Sequence, residues 1–275
     1  MRGYETGRRG IRMRLLHIGI VMNEKKISRL MKKFGLSCKI RKPNAYRRMM
    51  KALKTNTVAD NLLERQFEEY GPGMVLLTDI TYLFYGRKRQ KAYLSVIKDA
   101  FTKQILAYVV SPSLEVDFVL ETVRILFELH GDKIKASAMI HSDQGSHYTS
   151  ISFTELVKDK QLRQSMSRRG NCWDNAPQES FFGHMKDEID ISACETFESL
   201  KTTIDDYIDY YNNDRYQYRL AKLAPNQYYE YYITDEYPLK GLIPEPTDKN
   251  PKPYKKRSQS SNTDETACNS SLSSS

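Results

Sequence analysis

The sequence predicts an α/β fold, a mixed five-stranded sheet with helices packed on it. Three strands with short connections come first, at Val75–Phe84, Ala92–Asp99 and Ile105–Val110, and this spacing is typical of an antiparallel meander. Two further strands, Ala136–Ile140 and Gln161–Met166, are each preceded by a helical pattern. Strands that are first hairpin-linked and then alternate with helices indicate a mixed sheet.

The helices of the same region are predicted from apolar side chains at helical intervals. Glu115–His130 and Ser152–Asp159 precede the fourth and fifth strands. The segment PQESFFGHMKDEI begins a further helix at Pro177, because proline is favoured in the first helical turn. Thr196–Tyr211 is the next helix, and a final helical turn is expected near Pro225. These last elements form a C-terminal helical extension of the sheet region.

The N-terminal part of the chain is basic, and its pattern is helical. Residues 1–56 hold 17 Lys and Arg against two Glu, a charge of +15, whereas the whole chain carries +9. Helices are predicted at 11–18 and 24–34, the second capped by Asn23. Its basic residues are Lys25, Lys26, Arg29, Lys32 and Lys33. This pattern fits a helix-turn-helix that binds DNA, and a basic, solvated helical hairpin is the alternative.

Composition divides the chain into three parts. Residues 1–60 form the basic helix-turn-helix-like region, 68–232 the sheet region with its helical extension, and 243–275 a tail that we predict to be disordered. No apolar run approaches the length of a membrane span, and the charged start is unlike a secretory signal. Four scattered cysteines without such a signal indicate reduced thiols, so we expect a cytoplasmic protein.

Three acidic residues stand beside the predicted core elements. Asp79 interrupts the apolar run MVLLTDITYLF, where a buried carboxylate is costly unless it is paired or bound to a metal. Asp143 follows the fourth strand, and Glu179 lies early in the helix that Pro177 begins. Lys186 is two helical turns after Glu179 and shares its face within about 20°. Carboxylates that converge at one sheet edge suit hard divalent cations, and two such ions promote phosphodiester chemistry.

Each acid also has a simpler explanation when it is taken alone. Asp143, followed by Gln-Gly, would shape a turn, and Glu179 would favour the helix dipole as an N-terminal charge. Asp79 fits neither explanation, because it lies inside a strand. His141 and His147 flank Asp143, but lone histidines more often cap, stack or form hydrogen bonds than bind a metal.

The loop before the helix of Glu179 holds three more residues of interest. Asp174 or Asn175 would serve as the N-cap of that helix. Trp173, the only tryptophan, is expected in the core, with stacking on a base as the alternative. Neither a P-loop nor a Rossmann glycine pattern is present, so nucleotide binding is not expected as the main activity.

The chain resembles the second-reading-frame (OrfB-type) product of bacterial insertion-sequence transposases with a retroviral-integrase-type catalytic core. The matching stretches are LLTDITYL, IHSDQGSHYTS, SRRGNCWDNAPQESFFGHMKDE and YYNNDRYQYRLAKLAPNQYY, and MNEKKISRLMKKFGL resembles the family's N-terminal helix-turn-helix-like region. Thirty-five residues separate Asp143 from Glu179, and Lys186 follows seven positions later, as the family pattern requires. The resemblance covers roughly residues 2–232.

The resemblance implies a ribonuclease-H-like fold in which Asp79, Asp143 and Glu179 bind Mg²⁺, with Mn²⁺ as a substitute. It implies that Lys186 contacts DNA. The implied reactions are cleavage at the element's ends, which frees a 3′-hydroxyl, and transfer of that end to another phosphodiester. The implied partners are double-stranded DNA, as terminal inverted repeats and as target, and further copies of the chain. A nucleoid-associated bacterial protein is therefore expected.

Two departures from related enzymes matter. The His-His-Cys-Cys zinc module of retroviral integrases is absent, so we expect no zinc. The usual YGYRRI-like opening of the family is replaced by RGYETGRRGIRM at Met1. In this family an upstream frame supplies a DNA-end-binding helix-turn-helix, so its product is a further expected partner. Two alternatives stay open, a catalytically incomplete DNA-binding accessory fragment and a simple nuclease of the same fold.

Overall fold

Five strands form one sheet in the spatial order β3-β2-β1-β4-β5. Strands β1, β2 and β3 pair antiparallel, whereas β4 is parallel to both β1 and β5. The bounds of the strands are β1 Val75–Tyr85, β2 Gln90–Asp99, β3 Ile105–Ser111, β4 Met139–Ser142 and β5 Arg163–Met166. The predicted mixed sheet, and with it the ribonuclease-H-like fold class, is confirmed.

The computed structural model describes residues 4, 6–38, 70–167 and 176–247, and these contain seven α-helices besides the sheet. Outside these ranges lie residues 39–69, most of the loop before the helix of Glu179 (168–175) and most of the predicted tail. The helices are α1 Arg8–His17, α2 Glu24–Lys33, α3 Val116–His130, α4 Ile151–Asp159, α5 Ala176–Glu188, α6 Phe197–Asn213 and α7 Pro225–Thr234. No helix of the described residues is both long and apolar enough to cross a membrane.

The two faces of the sheet bury different helices. Leu76 of β1 lies in a core cluster with α3 and α4, for example with Val123 and Phe153. Leu83 of the same strand lies in a second cluster with α5 and α6, for example with Met185. Since side chains alternate along a strand, β1 supplies residues to both cores. It is the central strand of the sheet.

Two strands begin later than predicted. Ser137 has a φ of +67°, a left-handed conformation that breaks the extended chain, so β4 begins at Met139 rather than Ala136. Gln161 has a φ of +55°, and β5 therefore begins at Arg163. As a result, β4 ends at Ser142, immediately before Asp143.

The final helix is longer than the single turn that was predicted. Pro225 stands in its first turn, and the side chain of Gln227 accepts a hydrogen bond from the backbone N–H of Ala224. This N-terminal cap begins a ten-residue helix, α7, whose Tyr228 and Tyr231 are buried. These tyrosines belong to a third core cluster, which joins the C-terminal extension to Phe101, in the connection between β2 and β3.

Both N-terminal helices form, and Asn23 caps α2 as predicted. Helix α1 packs against the C-terminal extension, where Leu16 joins the third core cluster. Arg14 donates a hydrogen bond to the hydroxyl of Tyr210 at 2.7 Å. The ring of His17 stacks on Tyr216 with centroids 3.6 Å apart. These contacts attach the basic N-terminal region to the opposite end of the chain.

Candidate carboxylate site

Two of the three predicted acids lie level at one edge of the sheet. Strand β4 pairs with β1 only as far as Leu77, which is opposite His141. Asp79 follows Leu77 by two residues, and Asp143 follows His141 by two residues in the same direction. Beyond that point β1 continues without β4, so the two carboxylates lie where the sheet narrows. The predicted convergence of these two positions therefore agrees with the register.

A buried tyrosine lies beneath both carboxylates. Tyr148 is fully buried, and its hydroxyl is 3.4 Å from Oγ1 of Thr78, the neighbour of Asp79. Burial raises the pKa of Tyr148 well above its usual value, and the negative charges of Asp79 and Asp143 raise it further. Both acids therefore lie close enough to one phenol to act on it. Tyr148 stays a neutral hydroxyl at physiological pH.

The loop after β4 fixes the backbone of Asp143. Its Oδ1 accepts a hydrogen bond from the backbone N–H of Gly145 at 2.9 Å, so the expected role in shaping a turn is confirmed. A Cβ on Gly145 would lie only 2.9 Å from the same oxygen, so a larger residue there would displace the carboxylate of Asp143. The side chain of Asp143 nevertheless remains exposed.

Helix α5 is joined to β1 by a buried glutamine that sequence reasoning missed. Gln178 is fully buried, and its Nε2 donates to the carbonyl oxygens of Leu77 and Val96 at 2.9 and 3.3 Å. The next residue is Glu179, whose side chain is exposed. A signal was present in the sequence, because Gln178 precedes Phe181 and Met185 by three and seven residues and so begins their apolar stripe.

Lys186 of α5 contacts β1, the strand that carries Asp79. Its Nζ donates a hydrogen bond to Oγ1 of Thr81 at 2.7 Å. Thr81 is two residues after Asp79 on β1, so both point to the same face of the sheet. Lys186 is otherwise exposed beside an open groove, which Phe84 and Ile189 also line. The structure therefore brings Lys186 beside the strand that carries Asp79, and its contact with DNA stays a prediction.

The side chains of the three acids do not form a metal site in the described structure. Within the described ranges, no three His, Cys, Asp or Glu side chains form a group that could hold an ion. Their chemistry still fits a hard cation, because Asp79, Asp143 and Glu179 offer only oxygen donors. Asp143 and Glu179 are exposed, so their side chains can turn toward a cation without disturbing the core.

The histidines near Asp143 have structural contacts. His141 is buried, its Nδ1 is 3.0 Å from Oγ of Ser165, and burial lowers its pKa to about 4. His147 lies 3.0 Å from the carbonyl oxygen of Leu114 through Nε2. These contacts agree with the hydrogen-bonding roles expected of lone histidines. Trp173, Asp174 and Asn175 lie outside the described residues.

An ion pair holds the end of α5, and this too was missed. Arg215 binds Glu188 with two nitrogens, Nη2 to Oε1 at 2.7 Å and Nε to both oxygens at 3.1 Å. Tyr207 of α6 donates to the same carboxylate at 3.1 Å. Burial opposes the charge of Arg215, but Glu188 outweighs it and raises its pKa. The pair ties α5 to the C-terminal extension.

The basic side chains of α2 face solvent. All five predicted DNA-binding residues of this helix are exposed: Lys25, Lys26, Arg29, Lys32 and Lys33. Ile27, in contrast, is buried against α1. Glu24 begins the helix and pairs with Arg12 at 3.3 Å. This arrangement suits a DNA-binding helix and a solvated hairpin equally, so the choice between them stays a prediction.

Comparisons with known proteins identify the sheet region. Two family profiles, both described as integrase core domain, match residues 69–172 and 179–231. An uncharacterized transposase-like protein of Haemophilus influenzae is 38% identical over 214 residues, which are 76% of this chain and 94% of that protein. The putative transposase InsK of insertion sequence element IS150 from Escherichia coli is 32% identical over 228 residues, 81% of this chain and 76% of that protein.

Among solved structures, the catalytic core domain of HTLV-2 integrase in complex with magnesium is similar to this chain. The TM-score is 0.45 at 17% sequence identity, over 58% of this chain and 98% of that one. The strand order and the profile matches, and not this superposition, establish the fold.

Proposed function

The chain belongs to the insertion-sequence transposases that carry an integrase core domain, and we propose that it cuts and joins DNA with Asp79, Asp143 and Glu179. The strand register supports this proposal, because Asp79 and Asp143 each follow by two residues the last paired residues of β1 and β4, Leu77 and His141. Gln178 supports the third position, since it attaches the start of α5, and thus the backbone of Glu179, to β1.

The donor set suggests how these residues act. A divalent cation such as Mg²⁺ or Mn²⁺, when bound by the three carboxylates, would activate a water or hydroxyl and stabilise the leaving oxygen. Asp79 is positioned by β1 within the sheet. Asp143 and Glu179, whose side chains are exposed, would complete the set of ligands that Asp79 begins.

The proposed reaction consists of two phosphoryl transfers. In the first, water attacks a phosphodiester at the element's end, one P–O bond forms, and the bond to the 3′-oxygen breaks to leave a 3′-hydroxyl. In the second, that hydroxyl attacks a phosphodiester of the target, and the target's own 3′-oxygen leaves. Each step exchanges one P–O bond for another, so neither ATP nor a covalent enzyme intermediate is required.

The basic residues are proposed to hold the DNA. Lys186 is tied to Thr81 on the face of Asp79, which suits a contact with a phosphate near the scissile one. The exposed basic face of α2 is proposed to bind the duplex further away. We also propose that the active unit is an oligomer assembled on the element's ends, with the product of the upstream frame as a further partner.

The test is a cleavage and joining assay on duplexes with the inverted repeats that flank the gene, in Mg²⁺ or Mn²⁺. The chain is assayed alone and fused to its upstream-frame product. We expect nicking followed by joining. Each of Asp79→Asn, Asp143→Asn and Glu179→Gln should abolish both steps and leave DNA binding intact.

The matched control is Asp159→Asn, an exposed acid at the end of α4. It should cut and join at the parent rate. Joining that persists in any one of the three carboxylate variants would remove that residue from the site. The alternative of an accessory DNA-binding fragment predicts DNA binding with no cleavage by any form of the protein, and neither the profiles nor the relatives favour it.

A further inference from the structure

The hairpin between β1 and β2 extends beyond the carboxylate site. Strand β1 continues for six residues past Asp79, to Tyr85, a distance of about 20 Å. Its pairing with β4 ends at Leu77, so among the described residues this part of β1 pairs only with β2. This segment borders the open groove that Tyr82, Phe84 and Lys186 line, so DNA held by Lys186 would lie beside the hairpin.

One face of the hairpin exposes two aromatic rings. Tyr82 and Phe84 are 49% and 40% exposed, whereas their neighbours Leu83 and Tyr85 are buried on the other face. The ring of Tyr82 packs edge-on against Tyr93 of β2, with centroids 5.3 Å apart, so its orientation is fixed. Single exposed apolar residues need no explanation, but two in register on one strand form a platform.

The turn of the hairpin adds positive charge to the same surface. Arg87, Lys88, Arg89 and Lys91 are all exposed, and no acidic residue occurs between Asp79 and Asp99 in the sequence. Lys91 is the register partner of Phe84. The guanidinium of Arg89 lies over the ring of Phe84, 5.4 Å from its centroid. Cations therefore border the aromatic platform directly.

Arg89 occupies a backbone position that favours glycine or asparagine. Its φ is +51°, and its N–H donates to the carbonyl oxygen of Gly86 across the turn. A long basic side chain at this position gives the turn no conformational advantage. Residues held in such conformations are found disproportionately at functional sites, which points to a role for the charge.

We infer that Tyr82 and Phe84, with Arg87, Lys88, Arg89 and Lys91, bind single-stranded DNA beside the groove that Lys186 also lines. We call these six residues the hairpin surface. The inference rests on the proposed function, because it assigns a strand of the DNA substrate to this site. Aromatic rings stack on unpaired bases whatever their identity, and the basic side chains contact the phosphates between them. A fully paired duplex leaves no base face for the rings.

The test is DNA binding by the full chain without divalent metal, so that no reaction occurs. Two fluorescein-labelled probes are compared, a blunt duplex and the same duplex with a single-stranded overhang. We expect the parent to prefer the overhang. Tyr82→Ala combined with Phe84→Ala should weaken overhang binding by about fivefold or more and leave blunt-duplex binding unchanged. Tyr218→Ala, which removes an exposed tyrosine elsewhere, is the matched control and should change neither.

A second variant separates charge from folding. Arg89→Gly relieves the positive φ, so it should not lower the melting temperature. It removes one phosphate contact. For the overhang probe, the slope of log association constant against log salt concentration should therefore become less steep by about 0.7. Lys158→Gln, at an exposed lysine of α4, should leave that slope unchanged.

The inference would be overturned if the aromatic variant bound each probe as tightly as the parent does. Equal loss on both probes would overturn it too, because the surface would then contact duplex DNA. A change in the sedimentation coefficient of the free aromatic variant would instead assign the surface to a second copy of the chain. Since binding is measured without metal, a parent that fails to cut or join contradicts only the proposed function.

Discussion

Gln178 donates a hydrogen bond from its buried Nε2 to the carbonyl oxygen of Leu77, 2.9 Å away across the α5–β1 contact. Leu77 is two residues before Asp79, and Gln178 directly precedes Glu179. A single amide thus links the backbone positions of two proposed ligands. Within the described residues, its Oε1 accepts no hydrogen bond. The residue is a positioning residue, and its first effect should be on metal binding.

Gln178→Leu should impair catalysis by displacing Glu179, since it removes both donated hydrogen bonds and keeps a similar volume. We expect cleavage to fall at least about tenfold, with the half-saturating Mg²⁺ concentration raised. Ser180→Ala, at an exposed neighbour, serves as the control. A loss of thermal stability with an unchanged Mg²⁺ requirement would mean that the glutamine is only structural.

Lys186 should contribute one phosphate contact. For Lys186→Gln we predict weaker binding of duplex DNA and a salt slope lower by about 0.9. Thr81→Val keeps Lys186 but removes the hydroxyl that accepts its hydrogen bond. The salt slope should therefore be unchanged, and only the rate of joining should fall. Lys201→Gln, at an exposed lysine of α6, provides the comparison. An unaltered slope in Lys186→Gln would argue against the contact.

The pair of Glu188 and Arg215 should stabilise the attachment of α5. Removing one partner leaves the other half-buried and without its main counter-charge, so Glu188→Gln should lower the free energy of unfolding by about 3 kcal/mol. The double variant Glu188→Met with Arg215→Met should recover part of this loss. Urea unfolding measures both effects, and a double variant less stable than Glu188→Gln would contradict the explanation.

Lys98 should make stability depend on pH. It is buried near the rings of Phe181 and Tyr211, and burial lowers its pKa to about 7, with smaller contributions from Arg215 and Arg219. Between pH 7 and 10.5 the unfolded chain therefore holds a proton that the folded chain has lost. Stability should rise with pH across this window, by up to about 1.4 kcal/mol per pH unit.

Lys98→Met tests this directly. The variant should be more stable than the parent at pH 6 to 7. Its stability should lack the increase with pH that Lys98 causes, so the free energies of unfolding of variant and parent should converge toward pH 10. Denaturant unfolding at several pH values measures the difference. Parallel curves for parent and variant would show that Lys98 keeps its ordinary pKa.

The sequence alone predicted the sheet because the five strands and their connections leave local patterns. The sequence also predicted that Asp79 and Asp143 lie at one edge of the sheet, because Asp79 lies in the first predicted strand and Asp143 follows the fourth. The role of Gln178 was missed, because its partners Leu77 and Val96 are distant in sequence. The start of β4 was misplaced because the left-handed Ser137 gives no apolar signal.

The contact of α1 with the C-terminal extension was missed for the same physical reason. Arg14 and His17 read as ordinary basic residues of an N-terminal helix. Their partners, Tyr210 and Tyr216, are separated from them by the whole sheet region. Local patterns specify the elements, whereas long-range side-chain contacts specify how the elements are joined.

The central claim is that Asp79, Asp143 and Glu179 share one cation, and metal-directed cleavage of the chain tests it. Fe²⁺ that replaces Mg²⁺ reduces added hydrogen peroxide to hydroxide and a hydroxyl radical, and the radical cuts the backbone close to the bound ion. We predict cuts near all three positions, suppressed by excess Mg²⁺ and lost together in Asp79→Asn. Cuts near only one position, or three cuts that persist in Asp79→Asn, would contradict the claim.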